Sequence, residues 1–222
     1  MGGIMTTPAP QGRRIRGLDA EQRRAQRRDQ ILAAAFDLFA QDGYVNTSIE
    51  QICQTAYVGN KAFYELFDSK EDCYLALMSE MGERLEGQVE AELQRIGPDE
   101  AEELTVRRVA AAFAHALVDD PRVAVVTFRE STGISPRVEA QRRAHRKWAA
   151  GFIEAFWRSK ARPGEDIDYR AMAVATVGGL FETVADFLYE TDPPRSIDDL
   201  TRDLTSFVLA VGNGIHRPTV AD

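Results

Sequence analysis

The chain has 222 residues, 44% of them hydrophobic and 28% charged, with a formal net charge of −8. That length suits one or two domains with a real core. No run of about 18 apolar residues marks a membrane span, and the N-terminus lacks the continuous apolar segment of a signal peptide, so a cytoplasmic protein with no membrane partner is expected. The acidic total speaks against nucleic acid, but its distribution does not. Residues 1–70 hold 9 Lys and Arg against 8 Asp and Glu, whereas residues 71–222 hold 18 against 27. Arg13–Arg28 alone carries seven Arg against Asp19 and Glu21. DNA requires a basic patch on one face, not a basic total. Cys53 and Cys73 form no CxxC pair, and two buried thiols in a reducing compartment are the default expectation. Met1-Gly2-Gly3-Ile4-Met5-Thr6 fits the loose myristoylation pattern, which short stretches match often by chance.

Residues 1–18 are rich in Gly, Pro, Thr and Arg without a period, and a flexible basic arm is expected there. Asp19, with Gln22 three residues on, caps a first helix. Its stripe is Ile31, Leu32, Ala35, Phe36, Leu38 and Phe39, and Asp42-Gly43 ends it with a left-handed Gly cap. Thr47 and Glu50 then form a predicted capping box. Ile49, Ile52, Cys53 and Ala56 share one helical face. Tyr57-Val58-Gly59 breaks the chain, and a second short helix of about two turns begins at Asn60. This is a helix-turn-helix, whose second helix can enter the DNA major groove. Any small helical corner would carry the same pattern. The first helix can close a three-helix unit over residues 19–69.

Ser69 caps a long fourth helix, with Glu71 and Asp72 at its positive end. Tyr74, Met78, Met81, Leu85 and Val89 mark one face, and Gly97-Pro98 is the expected stop. The remainder of 70–222 reads as helix throughout. One helix runs from Asp99 to about Val118, and Asp120-Pro121 opens a short one through Phe128. Ser135-Pro136 caps another to about Lys160, closed by Arg162-Pro163-Gly164. Asp168–Glu190 follows, then Pro193-Pro194, and Ser196 with Asp199 caps the last. The expected fold is all-α, with about nine helices, no strand-like alternation and no repeat.

Two segments carry a family resemblance. The first is Phe36-Asp37-Leu38-Phe39-Ala40-Gln41-Asp42-Gly43-Tyr44-Val45-Asn46-Thr47-Ser48. The second comprises Ile52 to Ala56, Val58, Tyr64, Phe67 and Ser69-Lys70-Glu71. In order and spacing, residues of about 24–75 resemble the DNA-binding domain of the TetR (tetracycline repressor) family of bacterial transcription regulators. The chain departs from the pattern at Tyr57, where the family usually has Gly, which suggests a looser turn or a tyrosine facing phosphate. It departs again at Gly59, where a hydroxyl residue is frequent, and at Phe63, where Leu is usual.

The resemblance implies a DNA-reading head and a helical effector-binding and dimerisation domain. Carried onto this chain, Thr47 and Ser48 would hold a phosphate at a helix N-terminus. Gly59 would open the reading helix, and Asn60 and Lys61 would read bases or touch phosphate. Tyr64 and Lys70 would contact the backbone, Arg27 and Arg28 would approach phosphate, and Arg13, Arg14 and Arg16 would act as a minor-groove arm. A homodimer through the last two helices is implied, with Ala175, Gly178, Gly179, Leu204, Phe207 and Val208 as candidate contacts. An intramolecular core would explain those stripes equally. For the effector, Met78, Met81, Phe113, Phe128, His145, Trp148, Phe152 and Phe181 could line an apolar cavity, with Gln141 and Glu182 as polar groups.

The function expected is a ligand-responsive homodimeric repressor of a palindromic double-stranded operator, released by a small apolar or aromatic effector. An architectural helix-turn-helix protein without sequence readout is the alternative. An enzyme is not expected: His115, His145 and His216 have no metal-ligand spacing, and no nucleophile or phosphate-binding motif stands in a suitable setting. No catalytic residue, metal or cofactor is assigned.

Overall fold

The computed structural model describes residues 19–97, 99–129, 133–161, 167–189 and 194–215. The arm with Arg13, Arg14 and Arg16, the breaks at Pro98, 162–164 and Pro193, and His216 lie outside them. Among the described residues there are nine α-helices and no strand. They are α1 (Ala20–Asp42), α2 (Ile49–Thr55), α3 (Asn60–Tyr64), α4 (Lys70–Leu93), α5 (Glu102–Val118), α6 (Pro121–Ala124), α7 (Pro136–Arg158), α8 (Tyr169–Tyr189) and α9 (Ile197–Ile215).

Caps account for most helix starts. Asp19 and Gln22 form the expected capping box on α1. Ser69 accepts from the Asp72 amide, and Ser135 from Val138 with Pro136 in the first turn. At α2 the cap is one residue later than expected. Ser48 and Gln51 form the box, not Thr47 and Glu50. Thr47 is 1% exposed, and its hydroxyl donates to the Gly43 carbonyl at 2.8 Å. Gly43 does end α1 at positive φ (82°), but its ψ of 161° is outside the left-handed helical region. α4 stops at Leu93, before Gly97. α6 passes directly into a π-helical turn, Val125–Arg129.

α2 and α3 have 7 and 5 residues, too short to hold alone. Tertiary burial holds them. Ile52 and Phe63 are fully buried beside Ile31 and Phe39 of α1, and Phe67 closes the cluster. This core does not stop at residue 69. It continues through Cys73, Tyr74, Leu77 and Met78 of α4 to Val126 of the π-turn and Val138 of α7. α4, about 36 Å long at 1.5 Å per residue, carries the first unit into a body built of α5, α8 and α9 on one side and α7 and α8 on the other.

α8 is, by length and composition alone, apolar enough to cross a membrane, a feature that counting apolar runs had missed. It packs along α7 and α9. Its buried residues, Ala173, Val177 and Val184, occupy one side, while Met172 and Val174 are 38% and 52% exposed.

Candidate DNA interface and effector cavity

The turn between α2 and α3 is tight. Cys53 and Gln54 accept from the amides of Val58 (3.0 Å) and Tyr57 (3.2 Å), the paired bonds of a Schellman motif. The left-handed position of that motif belongs to Tyr57, at φ 54°. The turn is therefore no looser than a glycine would make it, and the tyrosine side chain stands 96% exposed. Gly59 caps α3 by backbone alone. Asn60 and Lys61 follow, exposed in the first turn, and Tyr64 is 56% exposed with its ring edge-on to buried Phe63. Arg27 of α1, Tyr57, Gly59 and Lys61 border one surface depression. Arg24 and Arg27 lie beside the Glu65 end of α3, Arg24 donating to its carbonyl at 3.3 Å and Arg27 3.9 Å from its carboxylate. The face thus combines cations, a tyrosine pair and an amide, all accessible.

Three expected phosphate contacts have other partners. The Thr47 hydroxyl is buried against Gly43, so only Ser48 presents its oxygen and the open α2 N-terminus. Arg28 turns away and pairs with Glu80 of α4. The Lys70 ammonium donates to the carbonyls of Tyr44 and Thr47, each at 2.6 Å, and lies 4.3 Å above the Tyr44 ring. Burial pushes its pKa down. Lys70 is a clip that fixes the α1–α2 loop to the start of α4. Two of its N–H donors are engaged by carbonyls rather than left for phosphate. Tyr57, one of whose two expected roles was to face phosphate, stands exposed on this face, and Arg24 reaches it although it was not a candidate contact. Arg24 was legible only as one of seven arginines.

The body holds two neighbouring cavities. The first, about 90 Å³, is bordered by Val106, Val109, Phe113, Phe152, Phe156 and Leu180 among others. The second, about 50 Å³, is bordered by Met78, Met81, Leu85, Phe128 and His145 together with Glu86, Thr127, Arg142 and Arg146. Trp148, Ala149 and Phe181 border both. Eight of the ten expected lining residues are therefore brought together. The polar two are not. Gln141 borders neither cavity and instead bonds the His145 ring at 3.1 Å, and Glu182 is exposed to solvent. The polar groups actually present come from α4, α7 and the π-turn. Periodicity could not find them, because a charged residue at the rim of a stripe looks the same whether it faces a cavity or water.

The second cavity is bordered by both α4 and α7. A Cβ on buried Gly82 would lie 2.7 Å from His145 Nε2, so any larger residue there would push the His145 ring out of its place. Burial lowers the His145 pKa, partly opposed by Glu83. From Thr127 and Phe128 on the cavity wall, the π-turn leads to Val126, whose carbonyl accepts from the Tyr74 hydroxyl at 2.6 Å inside the first core. The Tyr74 ring meets Phe39 and Tyr44 edge-on, each at 5.2 Å between centroids. A second tie joins the N-termini of α4 and α7. There the Ser135 hydroxyl donates to Glu71 at 2.5 Å, and Arg137 pairs with Asp72 at 2.8 Å. The Ser69 hydroxyl and then Arg137 hold the Asp72 carboxyl below its ordinary pKa.

The expected dimer contacts divide. Leu204 is fully buried and, with Val208, borders the first cavity. A Cβ on Gly179 would meet the Phe207 ring at 2.7 Å, so these two pack α8 on α9 within one chain. Ala175 is exposed and Gly178 faces open space, alongside the exposed Met172 and Val174.

Residues 31–77 match the sequence profile of bacterial regulatory proteins of the tetR family. The HTH-type transcriptional regulator TcmR of Streptomyces glaucescens is 37% identical over 68 residues. That match spans 30% of this chain and only 30% of TcmR. Two solved structures share the fold over most of both chains. The fatty acid degradation regulator FadR of Bacillus halodurans has a TM-score of 0.68 at 20% identity, covering 82% of this chain and 94% of its own. The transcriptional regulator FadR of Bacillus subtilis, solved in complex with stearoyl-CoA, has the same score and identity, covering 82% and 98%.

Proposed function

We propose, for a chain whose residues 31–77 belong to the tetR family of bacterial regulatory proteins, that it is a homodimeric repressor released from a two-fold symmetric operator by a small, largely apolar effector. The observation that carries the DNA-binding part is the exposed row Gly59, Asn60, Lys61 and Tyr64, in a unit whose α2 N-terminus is capped by Ser48. The α2 N-terminus offers free amides and a positive dipole end to one phosphate. Lys61 and Asn60 stand where α3 would meet base edges, and Tyr64, Tyr57 and Arg27 stand where the backbone would pass. α3 has only five residues, so one head reads few bases and two must act together. The uncovered apolar side of α8 supports pairing with a second copy. Met172, Val174 and Ala175 on a helix this apolar would otherwise face water.

The effector reading is supported by the aromatic-walled cavities and by the ties that leave them. The B. subtilis FadR with this fold holds a small molecule, stearoyl-CoA. In this chain, filling the second cavity would displace the π-turn and the α4–α7 contact at Gly82. Both lead to the loop that presents Ser48. An effector that prefers the displaced arrangement lowers DNA affinity by the ratio of its affinities for the two states, and no further.

The readout part is tested by comparing wild type with Asn60→Ala and Lys61→Ala on a panel of single-base operator variants. Each substitution should relax preference at one position per half-site, by about 1–3 kcal/mol for a bidentate contact. A uniform loss across all sequences would mean that these side chains touch only phosphate. No loss at all would remove α3 from the interface.

A further inference from the structure

The two cavities differ in charge as well as size. Apart from Thr105, every residue bordering the first is apolar or aromatic. The second has five polar groups, and three of them have partners within the chain. Arg142 is held by Glu139 at 2.9 and 3.0 Å, His145 by Gln141, and Thr127 donates to the Val123 carbonyl at 2.7 Å. Arg146 and Glu86 are different. Both are half-buried, and among the described residues neither makes a hydrogen bond or ion pair. The Arg146 guanidinium lies 5.1 Å from the centre of the Phe181 ring, and Phe181 borders both cavities. Arg146 itself borders the second cavity, next to the ring that the two share. Burial and the like charge of Arg142 lower its pKa, partly opposed by Glu139 and Glu182. Glu139 and Glu182 act on this guanidinium only from beyond hydrogen-bond distance, and a half-buried guanidinium with no carboxylate in direct contact among the described residues is a place where an anion gains charge-assisted hydrogen bonds.

We propose that the effector is an apolar monocarboxylic acid, its ring or chain in the first cavity and its carboxylate on Arg146. This rests on the effector reading given above and narrows it. The apolar first cavity takes the body by area burial alone. Among the described residues bordering the second cavity, Arg146 is the guanidinium with no direct carboxylate contact, since Arg142 is held by Glu139. Glu86, on the facing α4 wall and also unpartnered, limits the anion to a single charge. A phosphate-type dianion meets one guanidinium and one opposing carboxylate, whereas a monocarboxylate meets its match.

The test is calorimetric titration of the full chain with probes that share a body and differ at the head. These are 2-naphthylacetate, its methyl ester and 2-naphthylmethylphosphonate, with decanoate and methyl decanoate as a second body. The acid of at least one pair should bind about tenfold or more tightly than its ester, as one charge-assisted contact provides. Arg146→Met should bring acid and ester together, Arg146→Lys should keep part of the gap, and Arg143→Met, an exposed neighbour on α7, should keep all of it. The phosphonate should bind less tightly than the naphthyl acid, and Glu86→Gln should narrow that difference. Unfolding curves of each variant separate misfolding from lost recognition. An ester that binds as well as its acid, or a preference that survives Arg146→Met, overturns the monocarboxylate assignment while leaving an apolar effector in place. Failure of every acid and ester of both bodies to bind overturns it together with the effector cavity itself.

Discussion

At the scale of single residues, Tyr57 carries a conformational cost that the fold does not require. It occupies the left-handed position of a Schellman turn, φ 54°, with 96% of its surface exposed, so no packing compensates. A non-glycine residue there costs roughly 1–2 kcal/mol. Replacing it by glycine gives back part of that as extra freedom in the unfolded chain. Tyr57→Gly should therefore raise stability by about 0.5–1 kcal/mol in a urea titration, and weaken operator binding measured alongside. Unchanged DNA affinity would make the tyrosine a bystander. The neighbouring loop shows what local pattern cannot decide. Thr47 and Ser48 are adjacent hydroxyl residues, each followed three positions later by a residue able to complete a capping box. Only the tertiary fold chooses, by burying Thr47 against Gly43 and leaving Ser48 to cap. Lys70 is the same case. Its position in the motif was legible, but not that two carbonyls would claim its ammonium.

At the scale of elements, one connection between head and body is the Tyr74–Val126 hydrogen bond, fully buried at both ends. Tyr74→Phe keeps the ring against Phe39 and Tyr44 and removes only the hydroxyl, leaving the Val126 carbonyl without that donor. Stability should fall by about 1–3 kcal/mol. If the π-turn transmits effector binding, the change in DNA affinity on adding effector should shrink as well, while effector affinity without DNA stays near the wild-type value. Full coupling in Tyr74→Phe would move the transmission route to the Ser135–Glu71 and Arg137–Asp72 tie. Helix starts were legible wherever a cap stood next to a periodic stripe, as at Asp19, Ser69 and Ser135. The π-turn was not, because it differs from the end of an α-helix only in which carbonyl each amide meets. Nor was the division of apolar residues between core and cavity. Leu204 and Phe152 read alike in a stripe, yet one is fully buried and borders a cavity from the core side while the other is half-exposed within it.

At the scale of the whole molecule, α8 is the element that a single chain leaves unfinished. Its inner side meets α7 and α9, and its outer side offers Met172, Val174, Ala175 and Gly178. Val174→Arg should leave helix content intact and shift the sedimentation coefficient from dimer towards monomer; an unchanged coefficient would place any partner contact elsewhere. Charge is divided on the same scale, with seven Arg clustered in Arg13–Arg28 and the acidic surplus in residues 71–222. Binding to DNA should therefore weaken steeply as salt rises, through counterion release at the head alone. All of this comes together in one measurement: selection of binding sites by the full chain from random duplex DNA at near-physiological salt. Two identical heads held by one dimer predict a consensus of two inverted half-sites at a fixed spacing of about one helical turn or a multiple of it. A population of bound sequences with no shared motif, or a single half-site without symmetry, would contradict the central claim that this protein reads DNA as a symmetric pair.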